Sequence, residues 1–190
     1  MKRRYAHVID LDICIGCKGC IVSCKNVHDF TPGTNYSWVH QEGPTGVYPN
    51  VKMYYLPMTC MQCSNAECVE VCPTGASSID EDGIVRVDED KCFGCQYCIW
   101  ACPYDARFIH PEKHMVQKCD MCVQLTSQGQ LPNCTANCAA KARYFGDVND
   151  PTSEVSQVLA KNAGRVFRVG EALGHEPNVY YLKVKGMELQ

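Results

Sequence analysis

The 190-residue chain has no apolar run approaching the roughly 18–20 residues that cross a bilayer, so no transmembrane segment is expected. No leader is expected either. Met1-Lys-Arg-Arg-Tyr-Ala-His7 runs into the strand-like Val8-Ile-Asp10 and then Cys14, with neither an apolar h-region nor a small-residue cleavage site. The Arg3-Arg4 pair therefore lacks what a twin-arginine signal needs, and the expectation is a chain with no signal peptide of its own. Charge of one sign is not in excess. Eighteen Lys and Arg against 21 Asp and Glu give a formal net charge of −3, which argues against nucleic acid as a main partner. Catalytic signatures are missing too: no nucleophile–base arrangement, no Walker loop, no G-x-G-x-x-G after a strand. The histidines His7, His28, His40, His110, His114 and His175 are scattered, and Pro111 divides the one pair four residues apart. They read as exposed loop residues. The chain is expected to be non-catalytic, with no substrate site.

What the sequence does have is sixteen cysteines. Cys92 to Pro103, CFGCQYCIWACP, is C-x2-C-x2-C-x3-C-P, the run that bacterial ferredoxins use for 4Fe–4S clusters. Two-residue gaps let three thiolates of one loop converge on three irons. The fourth cysteine lies about a turn further on and ligates the other cluster. Quartet one is Cys14, Cys17, Cys20 and Cys24. Quartet two is Cys60, Cys63, Cys68 and Cys72. Quartet three is Cys92, Cys95, Cys98 and Cys102, and quartet four is Cys119, Cys122, Cys134 and Cys138. Each ends in C-x3-C, and quartets two to four share an alanine four residues later: Ala76, Ala106 and Ala142. A disulfide framework would need export, and structural zinc explains isolated C-x2-C pairs but not four such quartets.

Between the quartets the elements read as short. Tyr5–Asp10 is a strand. Ser77–Asp80 with Ile84–Val87, and Ala106–His110 with Met115–Lys118, read as hairpins. The first half of 28–58, with Pro32-Gly33, Gly43-Pro44, Gly46 and Pro49, reads as loop before a strand over Val51–Leu56. Helices between quartets are expected to run one or two turns. Asp150-Pro151 reads as the start of a later helix, with Val155, Val158 and Leu159 as its apolar stripe and Gly164 as its C-terminal cap. The segment 165–190 shows one strand-like piece, Val179–Val184, and no core of its own. Lys91 and Lys118 each adjoin a ligand cysteine, where charge could tune a cluster. Asp80, Glu81, Asp82, Asp88, Glu89 and Asp90 make an acidic hairpin that reads as a solvated turn.

Only 19 residues separate quartets two and three, which makes them a two-cluster unit and leaves quartets one and four to pair across it. Four cubanes are expected, with fourth cysteines exchanged. Cluster A takes Cys14, Cys17, Cys20 and Cys138. Cluster B takes Cys24, Cys119, Cys122 and Cys134. Cluster C takes Cys60, Cys63, Cys68 and Cys102. Cluster D takes Cys72, Cys92, Cys95 and Cys98. The fold class is α+β: two ferredoxin-like modules of small hairpins and short helices around four clusters. Residues 1–58 plus 111–150 form the outer module, 59–110 the inserted one, and 151–190 a C-terminal helix and partner-binding tail.

The order and spacing of the quartets, with Gly46-Val-Tyr-Pro-Asn50 and Tyr144-Phe-Gly-Asp147, resemble the iron–sulfur (beta) subunits of the dimethyl-sulfoxide-reductase family. The shorter members are most similar: those of polysulfide, thiosulfate and arsenate reductases and the nitrite-reductase-associated ferredoxin. Some members replace a quartet-three cysteine by tryptophan and hold a 3Fe–4S cluster. Here Trp100 lies between ligand positions, so four cubanes are expected. The chain departs from the family at Ala139, where proline is usual, and the Ala139 amide is an extra donor near the cluster of Cys138. The resemblance implies an electron-transfer subunit. Its partners would be a molybdopterin-guanine-dinucleotide catalytic subunit carrying molybdenum or tungsten, and either an integral-membrane quinone-reactive anchor or a soluble donor. It also implies the outer face of the cytoplasmic membrane, reached by co-export with the catalytic subunit, with the cytoplasm as the alternative. The competing class is a free-standing polyferredoxin, against which exposed Val179 and Tyr181 would argue.

Overall fold

The computed structural model describes residues 2–28, 30 and 33–186. Pro32 of the expected loop and the last four residues of the expected tail lie outside them. The first quartet follows β1 (Tyr5–Asp10) and leads into α1 (Gly19–His28). At ten residues α1 exceeds the one or two turns expected. The chain then forms a hairpin of β2 (Ser37–Thr45) and β3 (Lys52–Thr59). Of the loop expected over the first half of 28–58, the part from Ser37 onward is strand, while the described residues before it are not. Gly43-Pro44 falls at an irregularity within the hairpin, where the register slips between Glu42 and Thr45. A bulge is where a strand tolerates a residue without an N–H.

The inserted quartets follow with α2 (Glu67–Glu70), the hairpin β4 (Ser77–Ile79) and β5 (Val85–Val87), α3 (Tyr97–Trp100), and the hairpin β6 (Phe108–Ile109) and β7 (Val116–Gln117). Quartet four carries α4 (Val123–Thr126) and α5 (Asn133–Ala136). The remaining elements are β8 (Arg143–Asp147), α6 (Glu154–Lys161), β9 (Val166–Phe167) and β10 (Val179–Leu182). Helix α6 starts later than expected. Ser153 caps it, its Oγ accepting from the Ser156 amide, while Asp150 Oδ1 accepts from Thr152 in the preceding turn. Gly164 lies in a 3-10 turn and does not cap α6, whose C-cap is Asn162.

The four-stranded sheet runs β8-β1-β10-β9, with β1 antiparallel to β8 and parallel to β10. Ala6 and Val8 on one face of β1 pack with Leu182 under Val155 of α6. Ile9, on the other face, packs with Val179 and Tyr181 into the core that also holds Cys24, Cys60 and Cys119. Both faces of β1 are therefore covered, which suits a strand buried in every residue from Ala6 to Ile9. The expectation that 165–190 lacks a core is corrected here. Val179 and Tyr181 are fully buried rather than exposed, because β10 fills the slot beside β1.

Candidate metal centres

All four quartets bend the same way. The residue before the second cysteine is left-handed in each: Gly16 (φ 64°), Gln62 (φ 50°), Gly94 (φ 77°) and Met121 (φ 57°). That turn folds each C-x2-C loop back on itself, so its thiols point inward. Glycine is required where space is shortest. A Cβ on Gly94 would lie 2.3 Å from the His114 carbonyl oxygen. The short helices then bring quartets together in pairs: α1 packs on α5, and α2 on α3.

Within the inserted region two small cavities result. One is lined by Cys60, Cys63, Cys68 and Cys102, together with Tyr104 and Arg107. The other is lined by Cys72, Cys92, Cys95 and Cys98. In each, three cysteines come from one quartet and the fourth from the other. In the remaining quartets, Cys14 has Cys138 and Cys17 as close charge neighbours, and Cys20 has Cys14 and Cys134. Cys24 has Cys119, Cys134 and Cys122 around it. Cys119 also neighbours Cys60, so the two pairs of quartets meet there. Gln62, fully buried, ties this junction by donating to the Cys119 carbonyl at 2.7 Å and accepting from the Val85 amide at 2.8 Å.

The donor set fits iron–sulfur clusters. All sixteen cysteines are free of disulfides. Backbone amides point at their sulfurs: Ser77 at Cys72 (3.4 Å), Val116 at Cys92 (3.5 Å) and Ala142 at Cys138 (3.3 Å). The Ala142 amide is the one that points at Cys138 Sγ among the described residues. Burial pushes Cys63 and Cys119 up to about 12 and Cys24 far above the ordinary thiol range, helped by neighbouring thiols at Cys63 and Cys24 and by the Asp120 carboxylate and then Cys134 at Cys119. Cys72 is the exception. Burial opposes the shift, yet the Ser77 amide and the Thr74 hydroxyl hold its thiol below the usual value. Four packed thiolates repel one another unless a cationic centre compensates them, which is what a metal cluster supplies.

Lys118 is buried, its ammonium donating to the carbonyls of Val85 and Cys119, whereas Lys91 points outward and pairs with Asp88 at 2.8 Å. The acidic hairpin is partnered: Asp82 with Arg3 and Glu89 with Lys113. Three histidines are not loop residues: His40 lies exposed in β2, and the other two are His7 and His28. His7 lies inside β1, where burial and the Arg143 charge hold it down at about 3 and therefore neutral. His28 ends α1 and takes the place that alanine holds in the other quartets, its Nε2 3.6 Å from Cys122 Sγ. With Asp120, also near its ring, His28 and Cys122 could hold an ion, but Cys122 already belongs to a cysteine set. Two buried arginines escaped the sequence reading. Arg107 and Arg143 each follow the shared alanine, five residues after the last cysteine of their quartets. The repeat itself was the available signal.

Two 4Fe-4S dicluster domain families match the sequence, over residues 51–148 and 13–76. Among curated proteins, NrfC of Escherichia coli (strain K12) is 43% identical over 184 residues, covering 96% of this chain and 82% of that protein. The B subunit of tetrathionate reductase from Salmonella typhimurium is 42% identical, covering 95% and 73% respectively. The B subunit of polysulfide reductase from Wolinella succinogenes is 36% identical, covering 97% of both. This protein belongs to the iron–sulfur subunits of the molybdoenzyme oxidoreductases. As a member of that family it is an electron-transfer subunit, and its two dicluster matches and sixteen cysteines amount to four 4Fe–4S clusters. No helix among the described residues is long and apolar enough to cross a membrane.

Proposed function

We propose that this subunit relays single electrons along a line of four cubanes held by cysteine sets A to D. The observation that carries the reading is the exchange of fourth cysteines: Cys102 faces Cys60, Cys63 and Cys68, and Cys72 faces Cys92, Cys95 and Cys98. The clusters supply one-electron reduction and oxidation; the chain supplies their ligands, spacing and surroundings. The order A–B–C–D follows from which sets adjoin. Cys20 neighbours Cys134, Cys119 neighbours Cys60, and Arg107 hydrogen-bonds both Cys68 and Cys98. Sets A and B, with α1, α5 and β8, make the outer module, and sets C and D the inserted one.

The chain is then a non-catalytic subunit. Its two ends serve a molybdopterin catalytic subunit and either a quinone-reactive membrane anchor or a soluble donor. The relatives named as subunits of tetrathionate and polysulfide reductases support the catalytic partner. We place the complex on the outer face of the cytoplasmic membrane, exported folded with its catalytic subunit. Exposed aromatic side chains beside set D (Phe93, Tyr97 and Trp100) and apolar ones beside set A (Ile15 and Val22) suit buried contacts at both ends, more than a free polyferredoxin needs.

Ligand exchange is tested by Cys102→Ser and Cys98→Ser. If the partition holds, the first alters the spectrum of the cluster on quartet two and the second that of the cluster on quartet three. Identical spectral losses in both variants would contradict it. Anaerobic purification of the subunit from its host tests the partner: a large molybdopterin protein should come with it, and a lone subunit with full iron would favour the polyferredoxin.

A further inference from the structure

Arg107 and Arg143 are buried cations with no carboxylate partner among the described residues, although a buried unpaired charge is among the costliest features a fold can carry. Their surroundings explain why they persist. Arg107 donates through Nη1 to Ser77 Oγ at 2.9 Å and through Nη2 to Cys68 Sγ at 2.9 Å, and it also hydrogen-bonds Cys98. Its Nε has no acceptor. One guanidinium therefore touches a sulfur of set C and a sulfur of set D.

Arg143 stands at the corresponding place in the outer module, there without a hydrogen bond to a cysteine sulfur among the described residues. It opens β8 opposite Ile9, in a row with Tyr181, on the face of the sheet turned to the core and away from α6. Its charge neighbours are Cys134 of set B and Cys20 of set A. Nε and Nη1 are both buried and unpartnered. Both arginines occupy the same step of the cysteine repeat, five residues after the last ligand of quartets three and four. Quartet two has Ser77 at that step, and Ser77 is the hydroxyl that anchors Arg107.

We propose that Arg107 and Arg143 are electrostatic bridges, one in each two-cluster module, that raise the reduction potentials of both clusters they lie between. The inference rests on the ligand partition above. Adding an electron to a thiolate-bound cubane adds negative charge, and a cation in contact favours that state. An amide on one sulfur acts on one cluster. A guanidinium between two sets acts on both, so it keeps the pair level while shifting it. Each arginine is a positioning residue, and no step of electron transfer passes through it.

The test is an EPR-monitored redox titration of the full chain, purified anaerobically, with iron and sulfide counted on the same samples. In Arg107→Gln both inserted clusters should become about tenfold harder to reduce, equivalent to about 59 mV for one electron, with the outer pair unmoved. Arg143→Gln should give the mirror image, and Arg107→Lys a smaller shift because the charge remains. An iron-replete Arg107→Gln protein with unchanged potentials, or with only one cluster shifted, overturns the bridge. A sample short of iron would instead bear on cluster assembly and the ligand partition. Ser77→Ala then decides: it frees Nη1 but keeps the Ser77 amide on Cys72. Lower potentials in both inserted clusters support the bridge, and unchanged ones overturn it.

Discussion

Deleting residues 179–190 separates two readings of the C-terminal segment. If it were a detached clasp, the shortened subunit would keep its iron and lose only its partner. The structure gives another outcome, because β10 lies between β1 and β9 and supplies Val179, Tyr181 and Leu182 to two cores. Each is at most 1% exposed. Burying one such side chain is worth about 1.5–3 kcal/mol, so the three contribute at most about 5–9 kcal/mol. The Tyr181 hydroxyl adds a hydrogen bond to the Pro57 carbonyl at 2.9 Å, which ties the sheet to the β2–β3 hairpin. A net hydrogen bond is worth about 1 kcal/mol. The total is comparable with the whole stability of a typical domain, about 5–15 kcal/mol. The deletion should therefore give a protein without native circular dichroism and with iron far below the wild-type content. Tyr181→Phe is the graded version. It removes that hydrogen bond, at about 1 kcal/mol, and should lower the apparent Tm by a few degrees with iron retained. A deletion variant that melts like the wild type and holds its full iron would refute this assignment of β10.

Other consequences follow from the loops and thiols. Gly94→Ala places a Cβ against the His114 carbonyl at a residue with φ 77°, so it should cost the chain one cluster, read as about a quarter less iron, whereas Gly75→Ala meets nothing within 4 Å and should keep full iron. In the reduced, cluster-free protein Cys63 and Cys119 have folded-state values near 12 against an ordinary 9.0. The folded state then holds more protons than the unfolded one, so stability is fully present below pH 9 and falls as pH rises towards 12. Thermal melts at pH 7.5 and 10 should show the lower Tm at pH 10, and the reverse order would contradict the burial of these thiols.

The parts of the fold legible in the sequence are those fixed by neighbours along the chain. The cysteine spacings, the strand Tyr5–Asp10 and the hairpins at 77–87 and 108–117 all rest on contacts within about twenty residues. What escaped depends on distant partners. β10 reads as an isolated strand until β1 offers its open edge, some 170 residues earlier. Arg107 and Arg143 look like ordinary surface cations until thiolates from two quartets surround them. His7 looks polar and exposed, but Phe145 covers it with ring centroids 5.1 Å apart. The helix start was displaced by three residues because Asp150 and Ser153 are both good caps, and only the β8–α6 connection selects Ser153, whose Oγ also donates to the Asp147 carbonyl at 2.6 Å.

The central claim is that sixteen cysteines hold four cubanes and nothing else. Iron and acid-labile sulfide analysis of the anaerobically purified full-length protein tests it most directly. About sixteen of each per chain are predicted, four for every cluster. Little iron or sulfide, with zinc bound instead, would contradict the account.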